Sequence, residues 1–169
     1  MENLIIIRYS EIFLKGNNRS YFENLLISNI KSVLKDIECK IIKNRGRFLI
    51  ENFNDISEYK IIKRLKKVFG IHSYSAAVKI KTDLNDIFNA TLKFIKKGTF
   101  KVNTSRADKT FYLNSMQISK EIGAMILQKF PHLKVDVRNP DFIINIDIRE
   151  NGDTYVFSDY IEGAHGLPC

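Results

Sequence analysis

The residues of this 169-residue chain best suited to chemistry are cations interleaved with aromatic rings. In "SRADKTFY", Arg106 and Lys109 stand beside Phe111 and Tyr112, a mixture that holds backbone phosphates and stacks unpaired bases. Its bland reading is a strand end followed by core aromatics. "KNRGR" puts Lys43, Arg45 and Arg47 on a hairpin, and "KIIKRLKK" spreads Lys60, Lys63, Arg64, Lys66 and Lys67 along the polar side of a helix. Either basic run alone reads equally well as a solvated face; together they favour a surface that tracks phosphates.

Other chemistries lack their residues. Neither GxxxxGK[ST] nor GxGxxG occurs, so no phosphate-cradling loop is expected. His72, His132 and His165 are isolated in sequence from one another and from the two cysteines, which predicts no metal site. No GxSxG elbow supports a catalytic triad, and Asp147 and Glu150 read as solvated strand and turn residues rather than an acid/base pair, so no catalytic residue is expected. Cys39 beside "KIIK" reads as a small core or rim residue, and Cys169 as an exposed thiol with no neighbouring base.

The net charge of +8 and a pI near 9.4 attract polyanions, either nucleic acid or an anionic surface. The charge is uneven. Residues 1–75 carry 14 basic against 8 acidic side chains and residues 76–169 carry 13 against 11, so the first half supplies most of the long-range attraction. The longest apolar runs fall far short of the roughly 20 residues a spanning helix needs. Glu2, Arg8 and Glu11 break any signal-peptide core. Two cysteines without a pairing pattern fit a reducing compartment, and a cytoplasmic location without membrane partners is expected.

These residues must be positioned by small elements. "NLIIIRY" reads as a buried strand, followed by a loop with Lys15, Gly16 and Asn17. Ser20 and Glu23 resemble a capping box opening a helix with Phe22, Leu26, Ile30 and Val33 on one face. "CKIIK" and "RFLIE" flank a hairpin at "NRG", a second helix starts at Asp55, and "GIHSYSAAVKI" returns as a strand. The order β-α-β-β-α-β is the ferredoxin-like arrangement. A second α/β unit follows. Asp83 caps one helix and Asn114 with Gln117 another, "GTFKVNTSR" and "DFIINIDIRE" alternate as strands, and "ENGD" turns into "TYVFSDYI". The expected class is α+β: a ferredoxin-like unit over 1–75, a second unit with helices packed on a mixed sheet over 76–165, and a connector from 166 to 169.

Taken together, "IIIRYSEIFLKGNNRSYFE", "RGRFLIE", "LKKVFGI", "RADKTFYLNSMQISKEIG", "NPDFIINIDIRE" and "GAHGLP" resemble the N-terminal half of the tRNA 4-thiouridine synthetases, tRNA sulfurtransferases linked to thiamine biosynthesis. The resemblance implies a ferredoxin-like domain followed by a THUMP domain. It implies tRNA as partner, with the acceptor arm supported by the first unit and the 3′ CCA end taken by the second, so that the uridine at the eighth position is presented for thiolation. By motif, Arg106, Asp108, Lys109, Phe111 and Ser115 would face the CCA end with Asn139 and Asp141 beside them. Arg45, Arg47, Lys63 and Lys67 would meet phosphates, an assignment made from charge. ATP with Mg, an SGGxDS loop and a persulfide-carrying cysteine would belong to a catalytic domain expected beyond residue 169, with a cysteine desulfurase as sulfur donor and a second copy as a candidate partner in a homodimer. This chain alone is expected to bind tRNA without turning it over and to hold no cofactor. The rival readings are a THUMP module of another RNA-modifying enzyme and a basic ferredoxin-like interaction domain with no preference for RNA.

Overall fold

The computed structural model describes residues 1–9 and 11–169; Ser10 of the "RYSEIFLKG" motif lies outside the described residues. Contacts divide the chain into two units, one of Asn3–Ala76 with Tyr160–Cys169 and one of Met1–Glu2 with Ala77–Asp159.

In the first unit the elements are β1 (Glu2–Arg8), a 3-10 segment (Glu11–Asn18), α1 (Arg19–Val33), β2 (Lys40–Lys43), β3 (Arg47–Glu51), α2 (Asp55–Leu65) and the start of β4 (Ser73–Lys81). Their sheet runs β2-β3-β1-β4, with β3 antiparallel to both neighbours. That is the interleaved order two split β-α-β crossovers produce. Ile5 and Ile7 meet Leu26 and Ile30 of α1 and Ile61 and Leu65 of α2 in one core. Leu4 and Ile6, on the opposite face of β1, are buried too, as a continuous β-branched run requires.

Two local expectations change. Lys15–Asn17 is not a loop but part of the 3-10 segment, kinked where Gly16 takes a φ of +55°. Helix α1 is preceded by Asn18 with no side-chain cap. The partner expected for Ser20, Glu23, is turned inward instead, where its carboxylate accepts the Tyr9 hydroxyl. Burial, with that carboxylate, pushes the Tyr9 phenol well above its usual range. Helix α2 is capped by Asn54, whose Oδ1 accepts the Ser57 N–H at 2.9 Å. Its Arg64 ties back to α1, donating to the Val33 carbonyl at 3.0 Å and to both oxygens of Asp36.

At the C-terminal end the structure departs from the expected second-unit boundary and connector. The strand β8 (Asp153–Phe157) stops before Tyr160, and β9 (Ile161–Glu162) pairs antiparallel with Tyr74 and Ser73 of the first unit. Gly163 then donates to His72 O and His165 to Ile71 O, each at 2.9 Å, and Leu167 packs on the first core. A Cβ on Gly163 would lie 2.2 Å from Ile71 O, so this approach needs glycine. The rings of His72 and His165, far apart in sequence, meet edge to face at 4.8 Å.

The second unit takes the rest of β4, then α3 (Leu84–Thr91) capped by Asp83, β5 (Thr99–Arg106), α4 (Ser115–Lys129), β6 (Lys134–Val135), β7 (Phe142–Ile148) and β8. The sheet order β4-β8-β7-β5-β6 is mixed: β5 is parallel to β7 and β6, and the other pairs are antiparallel. Phe142, Ile144, Ile146 and Ile148 enter the core with Ile118, Ile122 and Ile126 of α4, following the period-2 and period-3.6 patterns of these two stretches. Asn145, polar and buried, is accommodated by donating to Ser158 O at 3.0 Å.

Candidate nucleic-acid interface

Between the end of β5 and the start of α4 lies the loop 107–114, and four local devices shape it. The Asp108 carboxylate accepts both the N–H of Thr110 at 2.8 Å and its hydroxyl, closing a tight turn. These donors hold the Asp108 carboxyl below its ordinary range. Arg106 Nη1 donates to the carbonyls of Phe111 at 3.4 Å and Leu113 at 3.2 Å. The side chains of Phe111 and Leu113 pack on the core. Asn114 and Gln117 exchange bonds of 2.9 and 2.8 Å in a reciprocal capping box that starts α4.

With these anchors in place, Lys109 and Tyr112 are presented outward, Tyr112 at 74% exposure. The Phe111 and Tyr112 rings lie 4.8 Å apart. The loop thus offers an ammonium and an exposed ring on a braced backbone, which suits phosphate contact and base stacking. Asp108 and Arg106 shape the loop, and Ser115 is half-buried at the first position of α4. Among the described residues the Arg106 Nε is buried with no partner, so the guanidinium is only partly satisfied by the loop it holds.

Asn139 and Asp141 are not beside this group. In the parallel β5/β7 register Phe100 opposes Phe142 and Arg106 opposes Ile148, so "NPD" lies at the opposite end of β5, roughly 20 Å away at strand rise. Asp141 Oδ2 instead accepts the Thr99 N–H at 2.8 Å. A Cβ on Gly98, whose φ is +98°, would fall 2.0 Å from that oxygen. Asn139 donates its N–H to Asp136 Oδ1 at 3.0 Å. Both residues serve local geometry in this structure.

In the first unit Arg45 is exposed at the tip of the β2–β3 hairpin, where it and Gly46 take φ of 48° and 82°, the positive pair a two-residue hairpin turn needs. Arg47 differs from expectation. It is only 7% exposed, in register with Arg8 on β1, because the tip ends at Gly46 and Arg47 already belongs to the sheet. Lys63 and Lys67 are exposed as expected, and so are Lys60 and Lys66, whereas Arg64 is engaged with α1. The Lys63 ammonium sits 5.2 Å from the Tyr59 ring centroid, and Tyr59 is 66% exposed. Tyr59 was missed from the sequence, although its spacing of four from Lys63 is the signal that would find it.

Among the described residues no three His, Cys, Asp or Glu side chains gather as a metal site, and no helix is long and apolar enough to cross a membrane. Burial raises the Cys39 thiol above its usual range, as expected for a residue at the core margin.

Comparison with known proteins agrees with this architecture. The ThiI ferredoxin-like domain matches residues 4–75 and the THUMP domain residues 81–159. A probable tRNA sulfurtransferase of Thermoanaerobacter pseudethanolicus is 46% identical over 99% of this chain, which spans 44% of that relative's length. Among solved structures, a 4-thiouridine synthetase in complex with RNA and bound ATP superposes with a TM-score of 0.86 at 35% identity, over 99% of this chain and 44% of that one. PH1313 of Pyrococcus horikoshii gives 0.80 at 32% identity, over 98% and 57%. With both domain families matched in order on the observed folds, the chain is a ThiI ferredoxin-like domain followed by a THUMP domain, and it is similar to the corresponding part of probable tRNA sulfurtransferases.

Proposed function

We propose that this chain is the tRNA-binding part of a 4-thiouridine synthetase: the first unit supports the acceptor arm, and the loop 107–114 with the start of α4 receives the 3′ CCA end. The observation that carries this reading is the likeness, over 99% of the chain, to a 4-thiouridine synthetase solved with RNA. The braced loop agrees with it, since an ordered cation and ring lower the entropy lost when a flexible single strand docks. In the first unit, Lys60, Lys63 and Lys67 with Arg45 supply the phosphate-facing charge.

In this reading the uridine at the eighth position is thiolated by a catalytic domain that uses ATP with Mg and sulfur from a cysteine desulfurase in the cytoplasm. This chain contributes binding and placement only. The residues found here fit that division: the exposed cations and rings hold RNA, and no phosphate-cradling glycine loop occurs in the sequence.

Gel-shift titration at several salt concentrations, with intact tRNA, tRNA lacking CCA and duplex DNA, tests the proposal. Phosphate contacts give all three a common salt slope, and CCA recognition adds a preference for intact tRNA at fixed salt. Equal affinity for the three ligands would retire it.

A further inference from the structure

Strand β5 has one edge that is only partly covered. On one side β7 pairs with it from Phe100 to Arg106, but on the other β6 pairs only at Thr99 and Phe100. Phe100 O accepts the Asp136 N–H across that second side at 3.0 Å. Since alternate residues of a strand direct their N–H and C=O to the same side, Val102 and Thr104 offer theirs along the uncovered edge. Among the described residues no strand takes them up.

Beside this edge runs a groove of about 420 Å³, lined by Val102, Gly123, Ala124, Leu127, Val135 and Val137. A Cβ on Gly123 would meet nothing within 4 Å, so the helix floor of the groove is open. Val135 and Val137 are 50% and 65% exposed. Lys101 and Lys120 also line it, and exposed Lys134 and Arg138 flank the two valines in sequence. The nearby carboxylate, Asp136, is engaged with the N–H groups of Arg138 and Asn139.

We propose that this groove takes an extended acidic polypeptide segment, added to β5 as a further strand, with apolar side chains on α4 and acidic ones toward the lysines. Unsatisfied strand groups beside an apolar trough are what strand addition uses. The cationic rim selects the sign of the partner's charge. The same rim opposes a second copy of this chain, which would bring like charges together. RNA is disfavoured because the one ring in the lining, Phe100, is fully buried and offers no stacking face. The inference does not depend on tRNA binding.

The test measures fluorescence anisotropy of the whole chain with a labelled short peptide of alternating glutamate and valine. Its comparators are the lysine/valine counterpart, the same glutamate/valine peptide N-methylated at alternate residues, and a short oligouridine. The glutamate/valine peptide should bind at least about tenfold more tightly than all three. Gly123→Leu starts a side chain into the groove from a Cβ that meets nothing within 4 Å and improves helix propensity, so it should remain folded and lose that binding about tenfold or more. Lys109→Ala should leave it unchanged. No measurable binding, equal binding of the lysine or N-methylated peptide, indifference to Gly123→Leu, or oligouridine binding lost in Gly123→Leu would each overturn the proposal.

Discussion

Arg106 donates from Nη1 to the carbonyl of Leu113 at 3.2 Å, so a side chain at the end of β5 closes the loop that carries Lys109 and Tyr112. The cation expected to meet RNA directly is, first, the brace beneath the residues that would.

Arg106 and Lys109 should therefore separate in their effects. Lys109→Ala should weaken tRNA binding by about 1 kcal/mol and reduce the salt slope by about one phosphate contact, with the melting temperature unchanged. Arg106→Ala should weaken binding and also loosen the loop, seen as faster amide exchange over 107–114. If both variants show identical exchange, Arg106 does not brace the loop.

At the other end of β5, the Asp141 carboxylate bonds to Thr99 and occupies the space a side chain on Gly98 would need. Gly98→Ala would force a side chain onto the Asp141 carboxylate at a positive φ and should cost about 1–3 kcal/mol of stability. Asp141→Ala should also destabilise, by about 1 kcal/mol from the lost bonds to Thr99. For tRNA affinity of the folded protein, neither change should matter; a selective loss of CCA preference in Asp141→Ala would return that residue to the interface.

The C-terminal strand should hold the first unit together. Gly163→Ala places a methyl 2.2 Å from Ile71 O, and overpacking of this kind costs about 1–3 kcal/mol. Amide exchange at Gly70 and His165, whose N–H groups bond across this pairing, should accelerate before that in α4. Unchanged protection there would mean that the segment does not support the first unit.

The Asp36–Arg64 pair makes a prediction in acid. Hydrogen bonds from Arg64, helped by its own backbone, hold the Asp36 carboxyl down at about 2 against an ordinary 3.8. A folded value below the unfolded one means that the stabilisation is fully present above about pH 4 and is lost as pH falls toward 2. Asp36→Asn should thus unfold more readily than the parent at neutral pH, by a small margin because the carboxylate is 61% exposed. The two proteins should converge near pH 2, as thermal midpoints across that range would show; parallel curves throughout would remove the pair from the acid response.

Much of the architecture was legible because its causes are local. The alternation of Phe142, Ile144, Ile146 and Ile148 marks a half-buried strand, Asn114 with Gln117 marks a helix start, and Asn44-Arg45-Gly46 marks a tight hairpin. Each depends on neighbours within a few residues, and so does the cation-and-ring composition of "SRADKTFY". The β-α-β-β-α-β order follows from such signals read in series.

What tertiary structure alone decided depends on distant partners. Ser20 and Glu23 have the spacing of a cap, but Tyr9 draws Glu23 inward, and a buried carboxylate with a donor outweighs a surface cap. Arg47 looks like a surface cation until β1 pairs beside it. "NPD" looks close to "RADKTFY" until the parallel register sets them at opposite ends of one strand. Ile161–His165 reads as the end of the second unit until it joins Ile71–Tyr74, some ninety residues earlier in the chain. The chain's own residue types determined which groups could bind RNA; strand pairing across long separations decided which are exposed together, because hydrogen-bond register is a property of two segments and is written in neither alone.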